Sequence, residues 1–404
     1  MHSVNENSLI ADLIRIGKVA AQNADWSKAV KNFRMAFRML PVGREREILA
    51  IDHLASAYIC LCDFVRAARL TYQLGELHKQ RTQNVKKDEE DIAIAAKILF
   101  RRGWAENLQG YFSRANYWFE ASRYFAEKVG DPVVVANTRY FQYRVAVESH
   151  IGLLFPGLPM QPTKAGEFEK YLYGLEDARI EFKDIGEVMS QHSNLNADAK
   201  SQLIRGKSQA MTKLANESFH FFKDAEKDAL SVGTATALAA ARTELARGSI
   251  LYSSGNNALI DVKTQLQSIL SLELGNTQHT KSVAEPFLLL AYCELLLGEY
   301  SRDDKVGRRI RRWGVDACRM VQTIFPYPKH PLYSVAATME KIFLGAMGNI
   351  ELGNYRSSVG ERIGEPQNRD GEVFSWLDNF SFTRQVSYAS DIKSVDNQPD
   401  VANS

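Results

Sequence analysis

Apolar side chains recur every three to four residues along most of the chain, which is the spacing of amphipathic helices. Between residues 10 and 130 the apolar stretches come in pairs, and a short polar turn separates the members of each pair. None of the eleven prolines lies between Pro162 and Pro286. Because proline costs about 3 kcal/mol inside a helix, that interval suits several long helices. Strand signals are weak throughout, so the pattern predicts an all-α fold.

The first three helix pairs repeat one order of large and small residues. Small residues stand twelve positions apart in each of them: Gly17 and Ala29, Ala55 and Ala67, Gly103 and Ala115. A small residue on the first helix lets the second helix approach closely, while large residues fill the groove between pairs. The alternative is three unrelated hairpins that place glycine or alanine in register by chance.

This order of residues resembles the tetratricopeptide repeat from Ile10 to about Gly130. Trp26 stands three residues before Ala29, where the family usually has an aromatic residue. The resemblance implies a right-handed α-solenoid of antiparallel helical hairpins. The repeats are 38 and 48 residues apart, not the family's usual length of about 34. We therefore predict a divergent array with a charged loop inserted at residues 79–91.

Composition divides the chain into four parts. We predict N-terminal hairpins in 1–155, a proline-rich loop in 156–166, a helical continuation with similar hairpins near its end in 167–360, and a disordered tail in 361–404. The polar tail contains a group of large apolar residues: Phe374, Trp376, Leu377 and Phe380. Such a segment either docks onto the chain's own helices or recruits a partner.

The charge balance and the cysteine content of the chain argue against several classes of protein. The 50 basic and 48 acidic residues balance, which argues against a chain built mainly to coat nucleic acid. The four cysteines lack a second pair that would complete a zinc site, so we expect free, buried thiols and an intracellular protein. No secretory signal and no apolar run of about 18 residues is apparent, so we expect a soluble protein of the cytoplasm or nucleus.

Catalytic motifs are missing from the sequence. It contains no Gly-x-Ser-x-Gly, no phosphate-binding loop, no His-Glu-x-x-His and no dinucleotide fingerprint. We therefore predict a protein that is not an enzyme and that uses no cofactor or metal.

Five residues are candidates for a partner-binding, concave face of the solenoid: Lys18, His53, Lys97, Arg101 and Trp104. Lys97 and Arg101 stand four residues apart on one predicted helix, and therefore share a face. An arginine on such a face can bind a carboxylate through two hydrogen bonds.

Tetratricopeptide adaptors that bind the C-termini of heat-shock chaperones hold the terminal carboxylate with a Lys and an Arg at the positions of Lys97 and Arg101. The other three positions of that clamp hold Ile14, Lys18 and His53 here, so two of the five match in type. The alternative is a solvated basic face, or an internal pair with Glu89 or Asp91.

The densest basic cluster comes late in the chain: Lys305, Arg308, Arg309, Arg311 and Arg312. One interpretation is a contact for an acidic partner or nucleic acid, with Trp313 available for stacking. The other is an exposed helix face balanced by three nearby aspartates, with Trp313 packed inside.

The sequence as a whole predicts a non-enzymatic adaptor or scaffold that binds a peptide or partner protein on its solenoid. The alternative is a regulatory sensor, whose helices bind a peptide or small ligand and switch an effector. In either case the expected partners are proteins or peptides, without membrane insertion and without nucleic acid.

Overall fold

The structure is a computed structural model that describes residues 2–23, 25–84, 87–159, 197–211, 215–232, 235–252, 255–273, 280–352 and 354–355. The described residues are mostly helical and include no strand. This confirms the predicted all-α fold. The predicted tail motif (Phe374, Trp376, Leu377, Phe380) and most of the predicted proline-rich loop lie outside these ranges.

Fifteen α-helices lie within the described ranges. The first eight are α1 (His2–Gln22), α2 (Trp26–Met39), α3 (Arg44–Leu49), α4 (Ala55–Cys60), α5 (Phe64–Thr82), α6 (Glu89–Leu108), α7 (Phe112–Lys128) and α8 (Pro132–Ser149). The others are α9 (Ala197–Met211), α10 (Ala215–Val232), α11 (Ala235–Tyr252), α12 (Asn256–Ser268), α13 (Thr280–Leu297), α14 (Lys305–Ile324) and α15 (Pro331–Gly345). Helices that follow one another along the chain pack against each other.

The turns of the N-terminal hairpins share one backbone geometry. In each of the three, the amide of the residue before the second helix donates to a carbonyl five residues earlier: Asp25 to Ala20, Asp63 to Tyr58, and Tyr111 to Glu106. The connection from α7 to α8 has the same hydrogen bond, from Asp131 to Ala126. The residue just before three of these donors has a positive φ, namely 63° at Cys62, 79° at Gly110 and 64° at Gly130. Cys62 thus adopts a left-handed conformation that glycine adopts at lower cost.

Close contacts between glycine and phenylalanine hold the hairpins together. An added Cβ would lie 2.5 Å from the ring at Gly17 and Phe33, 2.7 Å at Gly103 and Phe119, 2.4 Å at Gly206 and Phe222, and 2.5 Å at Gly314 and Phe343. All four rings are fully buried. The small residues of the sequence pattern therefore permit helix approach, as predicted.

The third of these contacts lies where the sequence analysis identified no repeat. Gly206 on α9 and Ser218 on α10 keep the twelve-residue spacing of the N-terminal hairpins, and Phe222 follows where Phe33 and Phe119 stand. Ser218 is fully buried, like the alanines that it replaces. The hairpin motif therefore recurs in the middle of the chain.

Both ends of the predicted charged loop at residues 79–91 are helical. Helix α5 continues to Thr82, and α6 begins at Glu89 with the Asp88 carboxylate accepting from the Asp91 amide at 2.8 Å. Acidic residues are favourable in a first helical turn, and Asp91 is buried between Arg44 and Arg81 at 3.0 and 2.8 Å. Asp91 is thus not the partner of Lys97 or Arg101.

The segment that joins the two helices of the C-terminal hairpin contacts the N-terminal hairpins. The ring of Phe64, the first residue of α5, lies 6.1 Å from the ring of Phe325 and 6.3 Å from that of Tyr327 between centroids. At the next turn, a Cβ added to Gly110 would lie 2.7 Å from the backbone nitrogen of His330. The segment between α14 and α15 therefore packs against two N-terminal turns.

An ionic cluster joins three helices in the interior. Arg247 on α11 is fully buried and donates to Glu244 at 2.8 Å and to Glu285 on α13 at 2.6 Å. Lys207 on α9 binds the same Glu285 oxygen at 2.9 Å. Burial by itself would raise the pKa of Glu285, but the two cations hold that pKa well below its usual range. Removing one member of such a cluster leaves a buried charge uncompensated.

Candidate functional site

Four of the five predicted binding residues converge with an aspartate that the sequence analysis missed. Lys18 lies on α1, Lys97 and Arg101 lie on α6, and Asp52 and His53 lie in the turn of π-helix at Ala50–Leu54 that joins α3 to α4. These are the first helices of the three N-terminal hairpins. We call Lys18, Asp52, His53, Lys97 and Arg101 the first-helix cluster.

The π turn presents Asp52 and His53 to the neighbouring helices. Such single turns inside α-helices often occur at functional sites. The His53 ring stacks on Phe33 with centroids 5.1 Å apart and an interplanar angle of 18°. The small residue Gly17 and the large Phe33 that build the first hairpin therefore also support His53.

His53 is surrounded by positive charge. Burial lowers the pKa of His53, and the charges of Lys18 and Arg101 lower it further, while Asp52 acts in the opposite direction. An imidazole with a pKa below its usual value of about 6.5 is neutral at pH 7. At neutral pH the charges of this cluster are therefore those of Lys18, Asp52, Lys97 and Arg101.

The two cations of α6 differ in their exposure to solvent and in their hydrogen bonds. The Lys97 ammonium is partly exposed and lies 3.9 Å from the Asp52 carboxylate, a separation typical of a weak surface pair. Arg101 is half-buried, and its Nε donates to the carbonyl of Ile51 at 3.2 Å. Burial lowers the pKa of Arg101, whereas the negative charge of Asp52 acts to raise it. Lys97 is the more exposed of the two.

Trp104 occupies a different environment from the rest of the predicted face. It is half-buried, and its ring lies 5.1 Å from that of Phe141 and 6.3 Å from that of Phe100 between centroids. The Arg101 guanidinium lies 5.3 Å from the Trp104 ring centroid. Trp104 therefore supports Arg101 from within an aromatic cluster.

The arrangement suits a negatively charged ligand. The cluster contains three cations from two helices and one carboxylate, so it carries two net positive charges at neutral pH. A surface with one sign of charge attracts ligands of the other sign and orients them as they approach.

Four of the five predicted basic residues on α14 form an exposed stripe. Lys305, Arg308, Arg309 and Arg312 follow a spacing of three and four residues on one helical face, and all four are exposed. None of them has an ion pair within the described ranges. Two of them, Lys305 and Arg308, lie in the first turn of the helix, where the positive end of the helix dipole makes a cation electrostatically unfavourable. We call these four residues the α14 stripe.

Arg311 does not belong to that stripe, in contrast to the prediction. It is buried, donates to Glu351 at 2.6 Å, and donates through Nη1 to the carbonyls of Tyr300 and Arg302 at 2.6 and 2.8 Å. One residue of helix advances the side chain by about 100°, which turns Arg311 from the exposed face to the interior.

Two of the three aspartates that were expected to balance the stripe have other partners. Asp304 caps α14 by accepting from the Gly307 amide at 2.8 Å, and it pairs with Arg302. Asp316 accepts from the Tyr355 hydroxyl at 2.8 Å. Trp313 is half-buried against the core, as the packed interpretation expected.

The cysteines are free thiols, two of them less buried than expected. Cys293 and Cys318 are buried, while Cys60 and Cys62 are half-buried. Burial raises the pKa of Cys293 to about 12, so this thiol stays protonated at neutral pH. Within the described ranges, no group of His, Cys, Asp and Glu has the arrangement of a metal site. No helix in those ranges has the length and apolarity needed to cross a bilayer.

Comparison with known proteins gives a weak structural likeness. No protein-family profile and no curated protein sequence matches the chain. Among solved structures, a tetratricopeptide repeat protein from Parabacteroides merdae matches 82% of this chain and 99% of its own, at 11% sequence identity and a TM-score of 0.42. At that degree of likeness the comparison assigns no family and no function.

Proposed function

We propose that this protein is a non-enzymatic adaptor of tetratricopeptide-like architecture that binds an acidic segment of a partner protein on its first-helix cluster. The observation that carries the proposal is the grouping of three cations near His53: Lys97 lies 3.9 Å from the Asp52 carboxylate beside it, and the charges of Lys18 and Arg101 both act on the His53 ring. Arrays of helical hairpins characteristically offer extended surfaces to peptides.

The chemistry of the cluster favours an acidic peptide over an apolar one. Lys18 is exposed and Lys97 is partly exposed, so both ammonium groups are accessible from the described part of the structure. The Arg101 guanidinium is already oriented by the Ile51 carbonyl and the Trp104 ring. Pre-orientation reduces the entropy that a side chain loses when it binds a ligand.

The α14 stripe offers a second positively charged surface for the same acidic partner. The four exposed cations have no acidic partner in the described ranges, and Lys305 and Arg308 lie in the first helical turn, where a cation is unfavourable. Residues that destabilise a fold locally are often kept for binding. We propose that the stripe contacts a further acidic part of the partner.

The test is affinity purification of the full chain from its source cell, with two matched double variants. Lys18→Glu/Lys97→Glu reverses two charges of the first-helix cluster. Lys31→Glu/Lys79→Glu reverses two exposed charges on the second helices α2 and α5. We expect partners to be lost from the first variant and retained by the second. Retention of the same partners by both folded variants would count against the proposal.

A further inference from the structure

Arg102 follows Arg101 on α6 but contacts the second helices of its own and the preceding hairpin. Its guanidinium carbon lies 3.8 Å from the ring centroid of Trp118 on α7 and 4.8 Å from that of Tyr72 on α5. Three helices therefore contribute one side chain each to a stack of ring, guanidinium and ring. We call Tyr72, Arg102 and Trp118 the arginine slot.

These ring contacts use none of the hydrogen-bond donors of the guanidinium. Arginine carries five N–H donors in a planar fork. No hydrogen bond or ion pair joins Arg102 to another residue in the ranges that the structure describes. The nearby carboxylate of Glu106 instead accepts from Arg114 at 2.5 Å. The arginine slot thus holds an oriented cation whose hydrogen-bonding capacity is unused by these residues.

Two further observations distinguish this arginine from an ordinary surface side chain. Arg102 is half-buried, and burial lowers its pKa, although Glu106 acts in the opposite direction. Two exposed tyrosines belong to or adjoin the slot, since Tyr72 is 54% exposed and Tyr117, the neighbour of Trp118, is 61% exposed. The Tyr117 ring packs edge-on against Trp118 with centroids 4.8 Å apart. Arginine, tyrosine and tryptophan are the residues most enriched at the energetic centres of protein interfaces.

We propose that the arginine slot binds a side-chain oxyanion, a carboxylate or a phosphate, of a peptide segment. Either group presents two oxygens to the guanidinium fork and forms a pair of parallel hydrogen bonds. The rings fix the plane of the guanidinium beforehand, so little side-chain freedom is lost on binding. The site is separate from the first-helix cluster, because its rings come from α5 and α7.

The experiment measures fluorescence anisotropy of three labelled peptides with the full chain. The peptides share the sequence Gly-Tyr-X-Tyr-Gly, where X is glutamate, phosphoserine or glutamine. Hydrogen bonds in which both partners are charged are roughly twice as strong as those between neutral groups, so we expect at least one anionic peptide to bind about tenfold or more tighter than the glutamine peptide. The stronger of the two anionic peptides identifies carboxylate or phosphate as the preferred group.

Three variants locate the effect. Arg102→Gln is expected to abolish the preference for the anionic peptide, and Arg102→Lys to lose most of it, because lysine keeps the charge but has no planar fork. Arg69→Gln removes an exposed positive charge one turn from Tyr72 on α5 and is expected to keep the preference. Lys18→Glu/Lys97→Glu is expected to keep it as well, which separates this site from the first-helix cluster.

Two results would overturn the proposal. One is equal binding, or equal lack of binding, of all three peptides by the unmodified chain. The other is an equal loss of preference in Arg102→Gln and Arg69→Gln, which would show only a general attraction between charges. Circular dichroism of each variant checks that the helices are intact.

Discussion

At the scale of the residue, the pKa of His53 reports the charge of the first-helix cluster. It is lowered by burial and then by Lys18, an exposed side chain on a different helix. Because the folded-state pKa lies below the unfolded value of about 6.5, the unfolded chain takes up the proton first as pH falls. His53 therefore contributes stability that is complete above about pH 6.5 and is lost as pH falls toward the folded-state pKa.

We predict that Lys18→Glu raises the pKa of His53, because it replaces a repelling cation with an anion that favours the imidazolium. The measurement is an NMR titration of the histidine ring resonances, with His53→Gln used to assign the signal. Lys31→Glu on α2 serves as the control and should leave that pKa unchanged. An unshifted His53 signal in Lys18→Glu would show that the two residues do not share a site.

The sequence was informative about which residue types to examine, and less so about their partners. Lys97 and Arg101 were identified from their spacing on one helix, and the structure places both beside Asp52. Asp52 was missed because its exposure there depends on a π turn, which periodicity does not predict. Arg102 was missed because its stacking partners lie on two other helices.

At the scale of the element, the glycine in the first helix of a hairpin decides how closely the second helix packs. Gly206 is the sharpest case, since an added Cβ would lie 2.4 Å from the fully buried ring of Phe222. We predict that Gly206→Ala destabilises the protein by about 1–3 kcal/mol, as overpacked cores do. The measurement is urea unfolding followed by circular dichroism.

Gly75→Ala is the matched control for that prediction. Gly75 also lies inside a helix, but an added Cβ would be 4.0 Å from its nearest neighbour outside that helix's own backbone, Cγ2 of Ile98. Alanine is a better helix former than glycine by about 0.5–1 kcal/mol, so this variant should be more stable than the unmodified chain. Equal effects of the two substitutions would contradict the role assigned to the hairpin glycines.

The hairpins could be predicted where both small residues were glycine or alanine. The pair of Gly206 and Ser218 escaped notice because serine is usually exposed, whereas here it is fully buried. The boundaries of α5 and α6 were misjudged for a related reason. A run of acidic residues suggested a loop, but Asp88 and Asp91 begin a helix and bind Arg44.

At the scale of the whole molecule, contacts distant in sequence join the N-terminal and C-terminal hairpins. His330 and Tyr327 lie against turns that precede them by more than two hundred residues. The cluster of Lys207, Arg247 and Glu285 likewise joins three helices. Local periodicity contains no information about such contacts, so the sequence predicted the units of the array but not how its ends meet. The proposed division at residues 156–166 stays a prediction.

The most direct test of the central claim is hydrogen–deuterium exchange of the full chain, alone and bound to a partner recovered by the affinity purification. We predict that the partner slows exchange in α1, in the segment from α3 to α4, and in α6, which carry the first-helix cluster. Protection of α5 and α7 in addition would fit a peptide that also reaches the arginine slot. A bound partner that leaves α1 and the α3–α4 segment unprotected would contradict the account.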